Sequence, residues 1–142
     1  MMRLMGLDVG SRRIGVAVSD DLLLTAQGVC VIDSKGTAKD LEQISALIRE
    51  KQVSHLVLGL PRNMNGTLGP MAEKVQTFGS QIAEKNPEVQ VVYSDERLTT
   101  SAAQRTLLEA DLSRKRRRQV VDKVAAVLIL QGYMDANCRQ AP

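Results

Sequence analysis

Three carboxylates offer this chain its chemistry: Asp8 in MGLDVG, Glu96 in SDERL and Asp122 in VVDKVAA. Asp8 interrupts a stretch in which Leu4, Gly6 and Asp8 alternate with Met5, Leu7 and Val9, so it shares one strand face with Leu4 and Gly6. A carboxylate in such a place is costly to bury without a positive partner. Two readings stay open from these residues: an acid bonded to the turn that follows, or a cation ligand on a central strand. Glu96 has the parity of Val92 and Ser94, whereas Asp95 points to the other side, so at most one of this acidic pair readily faces the same site as Asp8. Asp122 falls on a helical stripe with Ala125, Ala126, Ile129 and Tyr133, and its alternative is an exposed acid in a first helical turn, where the dipole favours negative charge.

If the three converge, the site contains oxygen ligands only. That donor set suits Mg²⁺ or Mn²⁺ and disfavours zinc. Two such cations about 3.5–4 Å apart stabilise the attacking and leaving oxygens of a phosphoryl transfer. His55 is the sole histidine and has no Cys or His partner in sequence, so a structural role is expected for it. No motif supports a Ser-His-Asp triad.

The charge pattern points to an anionic partner. Net charge is +3, but Arg114-Lys115-Arg116-Arg117-Arg118 concentrates five positive charges, and without them the chain would be slightly acidic. This run lies within a few residues of Asp122, Arg97 adjoins Glu96, and Arg12 sits in the turn after Asp8. All are placed to hold a nucleic-acid backbone, where Lys and Arg supply affinity without sequence information. Asn65-Gly66 lies in a polar loop, residues 61–67, that leads into a helix opened by Gly69-Pro70. Such a loop either presents backbone N–H groups to a phosphate or is only a connection, and it lacks the Gly-Lys-Ser/Thr ending of a P-loop.

The elements that must position these residues follow from periodicity. Two strands flank the Gly10–Arg13 turn, and a third covers Thr25–Ile32. Leu41, Ile44, Leu47 and Ile48 predict a helix over Ala38–Lys51, and Val53–Leu60 reads as a buried parallel strand. A helix from Pro70 carries Met71, Val75, Phe78 and Ile82, and Asn86-Pro87 ends it. Val89–Ser94 is the fifth strand, after which Thr99, Thr100 and Ser101 compete to cap a helix reaching about Ala110. A last helix is predicted from Val120 to about Ala136; a start nearer Ser113 would instead set Arg118 and Asp122 four apart.

The order βββαβαβαα predicts an α/β fold, with a mixed five-stranded sheet and packed helices. A length of 142 residues fits one domain, spanning 1–142, and 44% hydrophobic with 25% charged residues is a globular composition. No apolar run approaches the roughly 20 residues of a membrane span. The first residues show no signal-peptide pattern, and two cysteines are too few for a disulfide framework, so a reducing cytoplasm is the expected setting.

Four segments together resemble the YqgF family, also called RuvX, of the ribonuclease H-like superfamily: residues 6–20 (GLDVGSRRIGVAVSD), 56–70 (LVLGLPRNMNGTLGP), 93–100 (YSDERLTT) and 121–135 (VDKVAAVLILQGYMD). The resemblance covers essentially the whole chain. It implies a five-stranded mixed sheet in ribonuclease H order, an antiparallel meander on one side, and helices on both faces. It places the family's acidic residues on Asp8, Glu96 and Asp122, with Asp8 anchoring two cations and the others completing one coordination sphere each. The implied activity is metal-dependent phosphodiester hydrolysis. The family is described as a nuclease maturing the 5′ end of the 16S ribosomal RNA precursor, and formerly as a Holliday-junction resolvase. The resulting candidate partners are precursor RNA or branched DNA, with monomer and weak homodimer both open. A catalytically inert nucleic-acid-binding factor is disfavoured, because carboxylates near a phosphate backbone weaken binding unless metals neutralise them. An actin-like sugar kinase shares the Asp8-Val9-Gly10-Ser11 pattern but needs two domains around its cleft, for which this chain is too short.

Replacing Arg116 and Arg117 by Ala is expected to weaken nucleic-acid binding and to lower the slope of log K against log salt by about 1.4–1.8. Filter binding across a salt series checks this, and an unchanged slope would mean that the run faces away from the substrate.

Overall fold

The structure is a computed structural model. It describes residues 3–61, 69–95 and 114–137, with the side chains of all of these except 95 and 114–122. Alternating apolar residues build β1 (Leu4–Val9), β2 (Arg13–Ser19) and β3 (Ala26–Asp33). The chain continues through α1 (Thr37–Lys51), β4 (His55–Leu60), α2 (Pro70–Lys85), β5 (Gln90–Asp95) and α3 (Arg114–Asn137). Pro70 occupies the first turn of α2 after an extended Gly69, the place where a missing N–H costs nothing. The helix expected between Thr99 and Ala110 lies outside the described residues.

The five strands form one sheet in the order β3-β2-β1-β4-β5. β1, β2 and β3 pair antiparallel as a meander, while β4 and β5 add to β1 in parallel. β1 and β4 are almost continuously buried, as expected of central strands covered on both faces. Met5, Leu7 and Val9 of β1 face a core shared with Leu41, Ile44 and Ile48 of α1 and Val75, Phe78 and Ile82 of α2. Leu4, Ala17 and Val57 face the opposite core with Ala126, Ile129, Leu130 and Met134 of α3. Helices α1 and α2 therefore cover one face and α3 the other. Among the described residues no helix is long and apolar enough to cross a membrane.

Local bonds hold the meander in shape. The Gly10 N–H donates to the Arg13 carbonyl at 2.8 Å, closing the first turn. In the second turn one carboxylate oxygen of Asp20 accepts the N–H groups of Leu24 (2.8 Å) and Thr25 (3.1 Å). The Thr25 bond, and then that from Leu24, holds the Asp20 carboxyl below its ordinary value. Buried Asp40 ties the start of α1 to the end of the meander, accepting from the Ser34 hydroxyl and, at 3.1 Å, from the Lys35 N–H.

Helix α3 approaches β1 closely at Gly6. A methyl group on Gly6 would lie 2.7 Å from Leu130 Cβ and 3.0 Å from the Ala126 carbonyl oxygen. At Gly28 on edge strand β3, the aliphatic stem of Lys123 would be met at 2.7 Å. α3 begins at Arg114 rather than near Val120, so the basic run forms its opening turns. Asp122 is consequently not a first-turn residue but the ninth residue of the helix. Tertiary burial of the 125–134 stripe outweighs the unfavourable positive charges at the helix start.

Gly6→Ala is expected to cost about 1–3 kcal/mol, because the methyl group meets Leu130 Cβ and a backbone carbonyl that cannot yield cheaply. Gly28→Ala should cost less, since only the flexible Lys123 stem must move. Equal denaturation midpoints for the two variants would contradict a rigid α3–β1 contact.

Candidate active site

β1, β4 and β5 run parallel, so their carboxyl ends lie at one end of the sheet. Asp8 is near that end of β1, half-buried, on the face that carries Leu4 and Gly6 and is covered by α3. Its pairing partner on β2 is Gly15. On the other side, β1 and β4 pair Gly6 with Val57 and Leu7 with Leu58, and the next step of this register sets Asp8 beside Gly59. Gly59 in turn pairs with Ser94 of β5. Asp8 is thus flanked on both neighbouring strands by residues without a side chain, and the first side chain toward β5 is that of Ser94.

Helix α3 runs against β1. Lys123 lies over Gly28, whereas Gln131 accepts the Ala26 N–H at 3.0 Å, so the helix descends as β3 ascends. Two antiparallel pairings make β3 and β1 point the same way. Between Gly6 and Asp8 the strand advances about 6.7 Å. Between Ala126, which touches the Gly6 position, and Asp122, the helix advances about 6 Å in that direction. The backbone therefore brings position 122 level with Asp8. Continuing toward the helix start, Arg114, Lys115, Arg116, Arg117 and Arg118 lie beyond the carboxyl end of the sheet.

Arg12 is exposed in the β1–β2 turn at the same end, where its carbonyl accepts the Ser34 N–H at 2.9 Å. β4 and β5 end there too, at Leu60 and Asp95, so the segments carrying Asn65, Gly66, Glu96 and Arg97 begin at this end. Those four residues lie outside the described residues. Among the described residues, no group of three His, Cys, Asp or Glu side chains is placed to hold a metal ion. Of the three candidate ligands, only the Asp8 side chain is described.

Among the described residues, the softer ligands lie away from Asp8. His55 is the first residue of β4, at the opposite end of the strand from Gly59, and its Nδ1 lies 2.9 Å from the Ser54 hydroxyl. Cys30 pairs with Val16 and packs against the core under α1 and α2, on the far face of the sheet. Burial pushes its thiol up, further from the thiolate a metal would require. The sequence reading passed over the glycine flanks. Their signal was present, because an isolated Gly within a strand pattern marks close backbone approach or an absent side chain.

A family model described as RuvX, Holliday junction resolvase, matches residues 2–136. A protein of Heliobacterium modesticaldum named "Putative pre-16S rRNA nuclease" is 58% identical over 140 residues, covering 99% of this chain and 93% of its own length. One of the same name from Clostridioides difficile is 56% identical over 133 residues, covering 94% of each chain. Among solved structures, Thermus thermophilus RuvC in complex with a Holliday junction substrate superposes with a TM-score of 0.58 at 13% identity, over 95% of this chain and 97% of that one. Fowlpox virus resolvase in complex with its junction DNA gives 0.55 at 10% identity, over 97% and 100%. These likenesses bear out the expected ribonuclease H-like α/β fold. The chain belongs to the RuvX family, also called YqgF.

Proposed function

We propose that this chain is a divalent-metal-dependent endonuclease that hydrolyses phosphodiester bonds and processes the 5′ end of the 16S ribosomal RNA precursor. The observation that carries the reading is the position of Asp8: at the common carboxyl end of three parallel strands, between two glycines, and level with position 122 of α3. The names of relatives that are 58% and 56% identical support the substrate.

The surroundings of Asp8 fit a hard cation. Its nearest strand neighbours contribute backbone only, and the nitrogen and sulfur ligands among the described residues lie at the other end or the other face. Asp8, Glu96 and Asp122 would hold Mg²⁺ or Mn²⁺ through carboxylate oxygens. When bound, such cations polarise the phosphate and stabilise charge on the entering and leaving oxygens. The chain's remaining work is binding and orientation. Arg12, Arg97 and Arg114–Arg118 neutralise backbone phosphates on either side of the scissile bond, and Asn65-Gly66 offers N–H groups to another. The positive end of the α3 dipole adds to this field. A ribosomal RNA precursor as substrate sets the reaction in the cytoplasm.

A second reading is a junction resolvase, favoured by the description of the family model. Such an enzyme would cut two strands as a symmetric dimer.

The test incubates the protein with the 16S precursor and, separately, with a four-way DNA junction, in Mg²⁺ or Mn²⁺. Cleavage of the RNA is expected, and Asp8→Asn and Glu96→Gln should each lower it by about 100-fold or more, the scale of removing one charge-stabilising group. Cutting of the junction alone would favour the resolvase. If neither substrate is cut, or the variants match wild type, the carboxylate mechanism is wrong.

A further inference from the structure

We propose that a cavity on the α1/α2 face of the carboxyl edge takes an unpaired guanine base of the nucleic-acid substrate, with Asp40 accepting the N–H groups of its Watson–Crick edge. This rests on the nuclease reading and adds a base-reading site on the face of the sheet opposite Asp8.

A cavity of about 220 Å³ opens between the β1–β2 turn, the start of α1 and the first turns of α2. Val9, Ile14 and Phe78 line it with apolar atoms, and Ser34, Asp40 and Lys74 add polar groups. Val9 and Ile14 are a cross-strand pair in the core under α1 and α2, so the cavity lies on the face opposite Asp8. Val9 and Gly10 directly follow Asp8 in the chain and both line the cavity, so a nucleic-acid strand held at Asp8 reaches it by passing over the carboxyl edge. The volume falls below the roughly 300–1,000 Å³ of a site for a drug-sized molecule, which suits one ring system rather than a whole nucleotide.

The second observation concerns Asp40, which is only 5% exposed. Each of its carboxylate oxygens accepts one bond, from the Lys35 N–H at 3.1 Å and from the Ser34 hydroxyl. A carboxylate oxygen has two acceptor sites, so one on each oxygen remains. Among the described residues none forms an ion pair with Asp40, and a buried carboxylate is costly unless donors surround it. The cavity therefore suits a ligand that brings donors, and two parallel ones match the two oxygens. Of the RNA bases only guanine presents two adjacent donors on one edge, its ring N–H and its 2-amino group. Unpaired bases read on these edges are what sequence-selective RNA binding uses. Lys74 is exposed where it lines the cavity, placed to meet the phosphate of the same nucleotide.

The test measures, by fluorescence anisotropy, binding of a labelled oligouridine RNA and of the same RNA with its central residue replaced by guanosine, inosine or adenosine. Ca²⁺ replaces Mg²⁺ so that binding is read without cleavage. Guanosine is expected to lower Kd by about tenfold, the size of one additional hydrogen bond to a charged acceptor. Inosine, which lacks the 2-amino group, should lose that gain, and adenosine should not show it. Asp40→Asn should bring the guanosine and uridine oligonucleotides to the same Kd. Should that variant not fold, Thr37→Phe, which directs a ring into the cavity from an exposed position at the start of α1, should abolish the preference instead. Equal binding of the guanosine and uridine oligonucleotides by wild type overturns the proposal, as does a guanosine preference retained in Thr37→Phe. Neither result touches the nuclease reading, which wild-type cleavage of the 16S precursor decides. Free GMP binding as tightly as the guanosine oligonucleotide, measured by equilibrium dialysis, overturns the assignment to substrate in favour of a free nucleotide.

Discussion

The contact on which the site geometry depends is the one between Gly6 and α3. A helix with ordinary side chains sits well clear of a sheet, but here Ala126 and Leu130 meet a strand position with no side chain. The contact sets the helix along the strand as well as its distance from it. A two-residue strand step and one helical turn are nearly the same length, so a helix pinned at Gly6 carries position 122 to the level of Asp8. A longer side chain at residue 6 would lift the helix from the sheet and separate the two positions.

Parallel pairing supplies the other constraint. β1, β4 and β5 all end at one edge, and ligands of open α/β sheets lie outside the carboxyl ends of their strands. Asp8, the β1–β2 turn with Arg12, the last residues of β4 and β5 and the opening turns of α3 all lie at that edge. β2 contributes only Gly15 beside Asp8, and the opposite end holds His55 and the Arg3–Asp21 ion pair. Positive charge at the start of α3 disfavours the helix and favours an anionic partner; burial of the 125–134 stripe is what allows the conflict to persist.

Much of the fold was legible in the sequence, because it rests on short-range periodicity. Alternation placed Asp8 on the face of Leu4 and Gly6, helical spacing found Val75, Phe78 and Ile82, and the apolar run ending at Leu60 read correctly as a buried parallel strand. Boundaries slipped where local signals conflict. The start of α3 stayed open between Val120 and a point nearer Ser113, because five basic residues are poor helix openers, and the helix reaches back to Arg114. Gly15 and Gly59 are isolated glycines within strands, and their significance lies in which residue stands beside them across the sheet.

By itself the sequence determined the kinds of atoms available: three carboxylates, no useful histidine or cysteine near them, and one dense basic run. It also determined the face on which each strand residue points, since that depends only on a period of two. Only the tertiary structure decided which residues are neighbours across strands and how far along the sheet the last helix sits. Those depend on register and on the approach of backbones at glycine, which are properties of pairs of segments distant in the chain. No single segment's pattern contains them. Asp8 is a good metal-ligand candidate on either account, but that it lies between Gly15 and Gly59, with Ser94 beyond, follows from pairing alone.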